Sequence, residues 1–101
     1  MSIVLLLTEL QAARRAGPLQ SLTPVQLRLH EHVVSIVPEG MKLWGHAWLR
    51  FGDVDVRCTV LVRRWTSDAV GVEVPVDDEK LQCWIWQGAC DRLEQRTDAW
   101  V

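Results

Sequence analysis

The stretch that decides the fold is LWGHAWLRFGDVDVRCTVLVRRW, residues 43–65. Gly52 and Asp53 divide it into two segments in which apolar side chains alternate with polar ones. This alternation is typical of half-buried strands, and a Gly-Asp pair between two of them favours a two-residue hairpin turn. Alternating valines follow over residues 70–76, after a short polar loop at 66–68. We therefore predict three antiparallel strands, over residues 42–51, 54–65 and 69–76.

A two-residue turn also fixes the register of the hairpin, because Phe51 then pairs with Val54 and every later pair follows. One face is apolar and is predicted to face the core: Leu43, Ala47, Leu49, Phe51, Val54, Val56, Cys58, Val60 and Val62. The opposite face contains Trp44, His46, Trp48, Arg50, Asp55, Arg57, Thr59, Leu61 and Arg63. The loop at 66–68 is expected to add Trp65 and Glu73 to that second face.

Helical patterns precede the strands. Residues 2–16 place apolar side chains at helical spacing, and Gly17 and Pro18 after them form a strong helix stop. A second helix is predicted over residues 24–37, because the sequence from Thr23 to Gln26 fits a capping box. Residues 25–29 also alternate like a strand, so the choice between helix and strand stays open there.

The C-terminal segment is interpreted as a third helix, over residues 78–96. Asp77, Asp78 and Glu79 are three acids where a helix N-terminus favours negative charge. The apolar residues after them share a helical face: Leu81, Trp84, Ile85, Ala89 and Leu93. The element order becomes ααβββα, which predicts a single two-layer α+β domain over residues 1–101.

Composition limits the classes of function. The chain has 101 residues, 49% of them hydrophobic, and a net charge of −2, which fits one folded domain and excludes a disordered chain. The apolar run at residues 3–7 is too short to span a membrane and no basic residue precedes it, so we expect no membrane segment and no signal peptide. Three cysteines without a CxxC pattern are expected to be reduced thiols in the cytoplasm.

No residue pattern predicts catalysis or a bound metal ion. His30 and His32 would point to different sides of a helix and lack the spacing of a helical metal site. The predicted register places Cys58 and His46 on opposite faces, which disfavours a cysteine–histidine nucleophile. We therefore expect no cofactor, no metal ion and no enzymatic activity.

The surface rich in tryptophan and arginine carries the functional prediction, because both residue types are enriched at binding hot spots. Lone buried charges are costly, so we expect at least part of this surface to be exposed. The prediction is a non-enzymatic protein-interaction or regulatory module that binds a protein partner or a second copy of itself. Its predicted binding residues are Trp44, His46, Trp48, Arg50, Arg57, Arg63 and Trp65.

Three alternatives stay open. The same surface would suit single-stranded nucleic acid, whose bases stack on aromatic side chains, and residues 42–65 are locally basic. A small ligand-binding domain or enzyme with a pocket between helices and sheet is a weaker alternative, supported only by His46. Finally, the helices of the chain itself would hide the surface if they packed on both sides of the sheet.

Overall fold

A computed structural model of the protein describes residues 3–93. Within them lie two α-helices, six strands and one 3-10 turn. In chain order these are α1 (Ile3–Ala16), α2 (Pro24–Leu27), β1 (Ser35–Ile36), β2 (Leu43–Phe51), β3 (Val54–Trp65), β4 (Ala69–Val76), β5 (Glu79–Trp86), the 3-10 turn (Gln87–Ala89) and β6 (Cys90–Leu93). Neither helix is long and apolar enough to cross a membrane.

The strands form one antiparallel sheet that curls into a barrel. Its order is β5-β4-β3-β2-β6, and β1 pairs with the end of β3. In a flat sheet the outermost two of five strands would lie about 19 Å apart. Only the turn Gln87–Ala89 separates β5 from β6, and that connection reaches at most about 14 Å. The sheet must therefore curl until its two edges come close together.

An irregular segment between α1 and α2 fills part of the gap between those edges. β6 pairs only with the first half of β2. Further along, the Gln20 N–H donates to the Arg50 carbonyl at 2.8 Å, and the Leu22 N–H donates to the Trp84 carbonyl at 2.9 Å. Residues 18–22 thus link β2 to β5 and satisfy backbone groups that an open sheet edge would leave unpaired.

Helix α1 closes one end of the barrel. Its Leu10 and Ala13 belong to the same buried cluster as the inward-facing residues of β2, β3, β4 and β5. At the β2–β3 turn, Gly52 lies so close to α1 that a Cβ there would come within 2.6 Å of the Ala16 carbonyl oxygen. Gly52 also has a φ of +59°, so both the contact and the backbone favour glycine.

The predictions for α1 and the first three long strands are confirmed. Phe51 pairs with Val54, and the pairing continues without a break until Leu43 pairs with Val62. The observed bounds of these four elements lie within one residue of the predicted ones. Alternation and a well-defined turn were sufficient here, because a hairpin is a local structure.

The predicted C-terminal helix is wrong, and with it the ααβββα two-layer arrangement. Asp77 and Asp78 have φ values of 50° and 65° and form the two-residue turn between β4 and β5. Positive φ at both central positions is the hairpin geometry that Asp tolerates better than most residues. Cys83 and Ile85 then face the core as alternate residues of a strand. Residues 94–96 of the predicted helix lie outside the described residues.

The second predicted helix ends after one turn. The capping box is present, with the Gln26 N–H donating to Thr23 Oγ1 at 3.2 Å. Arg28 then adopts a left-handed conformation that ends the helix. The apolar residues that follow at helical spacing are exposed and do not form a buried helical face: Val25, Leu29, Val33 and Ile36. Leu27 and Val37 are buried instead.

Candidate functional site

The outward side of β2 and β3 carries the surface on which the functional prediction rests. We call it the tryptophan face and define it by Trp44, His46, Trp48, Arg50, Asp55, Arg57, Thr59 and, from β6, Asp91. The register confirms that the first seven share one side of the hairpin, and Asp91 joins them because it pairs with His46. Trp48 is the most exposed aromatic residue of the described chain, with 52% of its surface accessible.

Two arginine–aspartate pairs neutralise most of the charge of the tryptophan face. Arg50 and Asp55 are cross-strand partners whose side chains approach to 3.3 Å. The Arg57 guanidinium reaches across β2 to Asp91 at 3.1 Å. All four side chains are at least 43% exposed, so each pair contributes at most about 1 kcal/mol to stability. Their larger effect is to leave the face with balanced charge.

His46 and Thr59 form the less exposed centre of the same face. Partial burial, with the positive charge of Arg57 as a second cause, lowers the pKa of His46 below its usual value, while Asp91 opposes the change. Its imidazole is therefore neutral at pH 7. Thr59, its cross-strand partner, is only 9% exposed, and its Oγ1 has no hydrogen-bond partner among the described residues. Alternation predicted the side of the sheet on which Thr59 lies, but not its burial.

Arg63 lies near the end of β3, where the β3–β4 register shifts between Val62 and Arg64, so it is the extra residue of a bulge. It follows Val62, which is buried in the interior, and therefore keeps the outward side that alternation predicts. Together with Arg64 it borders a cavity that also contacts Gly71 and Trp84. Arg63 thus lies on the same side of the sheet as the tryptophan face but beyond the residues that define it.

The same bulge moves Trp65 to the opposite side of the sheet. Trp65 pairs with Val70, and Val70 lies two residues from the buried Val72. Cross-strand partners share a face, as do residues two apart on a strand. Trp65 therefore belongs to the inward-facing row and lines a cavity in the barrel with Val62 and Val70. Its prediction as a residue of the outer surface is wrong.

The chain covers another part of its own outer surface. Leu27, Val37 and Ala69 are buried but lie outside the main core cluster. His32 attaches this region to the β3–β4 loop, with Nδ1 at 2.6 Å from Ser67 Oγ and Nε2 at 3.4 Å from Asp68. The segment around His32 therefore lies beside the β3–β4 loop and not over Trp48, which remains exposed.

The described residues contain no group of three histidine, cysteine or acidic side chains arranged to hold a metal ion. The three cysteines are free. Burial raises the pKa of Cys58 to about 12 and that of Cys83 to about 11, so both are unreactive thiols at neutral pH. Cys90 is less buried, and burial also raises its pKa.

Comparisons with known proteins found no match for this chain, whether among family models, curated proteins or solved structures.

Proposed function

We propose that this protein is a non-enzymatic interaction module that binds protein through the tryptophan face, with a second copy of the chain as its partner. The observation that carries the proposal is Trp48, a large aromatic side chain half exposed in the middle of a rigid sheet. A central tryptophan with a polar rim is the usual arrangement of a protein-binding hot spot. Strand β2 fixes the backbone of Trp48, and an indole side chain has only two rotatable torsions, so binding costs little side-chain entropy.

The charge distribution favours protein over nucleic acid. Arg50 and Arg57 are each paired with an aspartate of the same chain, and His46 is neutral at pH 7. A nucleic-acid surface needs unpaired cations for the phosphates, whose contacts supply most of the affinity. Arg63, the third predicted cation, lies at the bulge near the end of β3, away from Trp48 and the two arginine–aspartate pairs.

Balanced charge also favours a second copy as the partner. A two-fold symmetric interface joins the same patch of two subunits, so that patch must be complementary to itself. The tryptophan face has an apolar centre at Trp48 and carries arginine–aspartate pairs on both strands. Such a dimer would also avoid the net repulsion that two copies of a strongly charged patch would have. The proposal places the dimer in the cytoplasm, where the free thiols Cys58, Cys83 and Cys90 would stay reduced.

The test is the mass of the protein in solution, measured by sedimentation velocity between about 1 and 500 µM. We expect a monomer–dimer equilibrium that Trp48→Ala weakens by about 30-fold, the effect of losing a hot-spot residue. Trp86→Ala is the matched control, because Trp86 is similarly exposed, at 46%, on β5 outside the tryptophan face. It should leave the equilibrium unchanged.

A monomer over the whole concentration range would contradict self-association. An equal effect of the two alanine substitutions would show that the interface is not the tryptophan face. Salt-dependent binding of a labelled single-stranded oligonucleotide, lost in Trp48→Ala, would favour the nucleic-acid alternative instead.

A further inference from the structure

The end of the barrel opposite α1 is open and contains a largely apolar cavity of about 190 Å³. Residues from the start of β2 and β4, the end of β3, the 3-10 turn and β6 surround it. They are Leu43, Trp44, Val62, Trp65, Val70, Gln87, Cys90 and Arg92. A space of this volume accommodates one or two fused rings, which is less than a drug-sized ligand needs.

Two local features of the sequence form this cavity. The bulge at Arg63 turns the indole of Trp65 inward, so one aromatic wall comes from a residue that regular alternation would have placed outside. The second feature is Gly45, where a Cβ would come within 2.7 Å of the Cys90 sulfur and 3.5 Å of Val62. A larger residue at this position would have to displace the Cys90 side chain, which lines the cavity, whereas its distance to Val62 would be an ordinary contact.

Arg92 gives the cavity its charge. It pairs with Gly45, so its side chain starts from the inward-facing row of β6, where an apolar residue is expected. Among the described residues that line the cavity it is the only charged one, and within residues 3–93 it makes no ion pair. The neighbouring acid, Asp91, lies on the opposite face and is paired with Arg57. The Cys90 thiol stays neutral at pH 7, because burial raises its pKa.

We propose that this cavity binds a small aromatic carboxylate. The ring would occupy the space between Trp65, Val62 and Val70, and the carboxylate would pair with the Arg92 guanidinium at the opening. Guanidinium and carboxylate form strong, often bidentate hydrogen bonds, and aromatic rings pack favourably on indole. Trp44 lines the cavity and also belongs to the tryptophan face, but the proposed contacts use Trp65, Val62, Val70 and Arg92, which lie outside that face, so the proposal does not depend on self-association. For a ligand of this size we expect a Kd between about 10 µM and 1 mM.

The experiment is an NMR titration of the isotope-labelled full chain with indole-3-acetate, indole-3-acetamide and cyclohexylacetate. We expect saturable shifts of the Trp65 indole N–H and the Arg92 side chain with indole-3-acetate, and little change at Trp48. The neutral amide should bind at least about tenfold more weakly, since it retains the ring but loses the charge. The aliphatic acid should also bind more weakly, since it retains the charge but loses the ring.

Variants separate this site from non-specific binding. Arg92→Gln should remove the preference for the acid over the amide, whereas Arg15→Gln, the same charge change on the exposed side of α1, should leave it intact. Val70→Phe should fill the cavity and abolish binding of both ligands. The proposal is overturned if no saturable shift appears below about 10 mM, if acid and amide bind equally, or if Arg15→Gln acts like Arg92→Gln. If cyclohexylacetate bound as tightly as indole-3-acetate, the inference that the ligand is aromatic would be overturned.

Discussion

The two ends of the barrel are built from the same strands but differ in how they are closed. At the α1 end, the helix covers the interior and Phe51 is fully buried. At the other end no element of the described chain covers the interior, and Trp65 remains 37% exposed beside a cavity. A curled sheet buries its middle in either case, so the difference comes from what lies over each opening. The closed end provides stability, and the open end leaves apolar surface free for a ligand.

The largest expected effect of a substitution tests this difference directly. Phe51→Ala at the closed end should lower the free energy of unfolding by about 3–5 kcal/mol, because it leaves a cavity in a fully packed region. Trp65→Ala removes a larger side chain from the open end and should cost less than about 2 kcal/mol, since water already reaches it. Urea unfolding with unchanged m values measures both. If the two variants lost the same free energy of unfolding, the two ends of the barrel would be equally well packed.

The second largest expected effect on the free energy of unfolding concerns the contact between α1 and the β2–β3 turn. Gly52→Ala should destabilise the protein by about 2–3 kcal/mol, because its Cβ meets the Ala16 carbonyl and its φ is positive. Gly40→Ala is the matched control. Gly40 also has a positive φ, +86°, but no atom lies within 4 Å of the added Cβ, so only the backbone cost of about 1 kcal/mol remains. If the two substitutions cost the same, α1 does not press on the turn.

Alkaline pH should weaken the barrel interior. Burial raises the pKa of Cys58 from 9.0 to about 12, so above pH 9 the unfolded chain loses a proton that the folded chain keeps. Stability is therefore intact below pH 9 and falls as pH rises between about 9 and 12. We expect Cys58 alone to lower the free energy of unfolding by about 1 kcal/mol between pH 8 and pH 10. Cys83 and Cys90, whose pKa values burial also raises, should add to this loss. Cys58→Ala should therefore reduce the pH dependence without removing it, and an unchanged slope would contradict the burial of the Cys58 thiol.

The smallest effect concerns the ion pairs that attach α1 to the β4–β5 turn. Arg14 donates to the Val76 carbonyl at 3.2 Å and pairs with Glu79 at 2.6 Å and Asp77 at 3.6 Å. Arg14→Gln should cost about 0.5–1 kcal/mol at low salt and less at about 1 M salt, since both acids are largely exposed. Thermal unfolding of both proteins at the two salt concentrations measures this difference. If salt does not reduce the loss of stability in Arg14→Gln, the arginine stabilises the protein by packing and not by its ion pairs.

The sequence predicted what depends on neighbouring residues. The Gly52-Asp53 turn determined the complete β2–β3 register, and with it the composition of most of the tryptophan face. The stop at Gly17 and Pro18 likewise predicted the end of α1. In each of these cases the decisive residues are adjacent in the chain, so local rules were sufficient.

Three parts of the prediction failed for different reasons. No local signal marks the bulge at Arg63, and the single-residue shift that it introduces reverses the side on which Trp65 lies. The second helix ends at Arg28, whose left-handed conformation its residue type does not signal.

In the C-terminal segment, Leu81, Cys83 and Ile85 alternate, but Leu81, Trp84 and Ile85 also fit a helical face, and the Asp77-Asp78 pair suits both a hairpin turn and a helix N-terminus. Local sequence therefore fits both structures there, and β6 pairs with β2, which is far away in the sequence.

The sheet curls so that Trp48 faces outward while Trp65 and Arg92 surround an internal cavity. Nuclear Overhauser contacts of the assigned tryptophan side chains are the sharpest test of this arrangement. We expect contacts from the Trp65 indole to the methyl groups of Val62 and Val70, and backbone contacts between Gly45 and Arg92. Contacts from Trp65 to Trp48, or a helical pattern of contacts through residues 79–93, would contradict it.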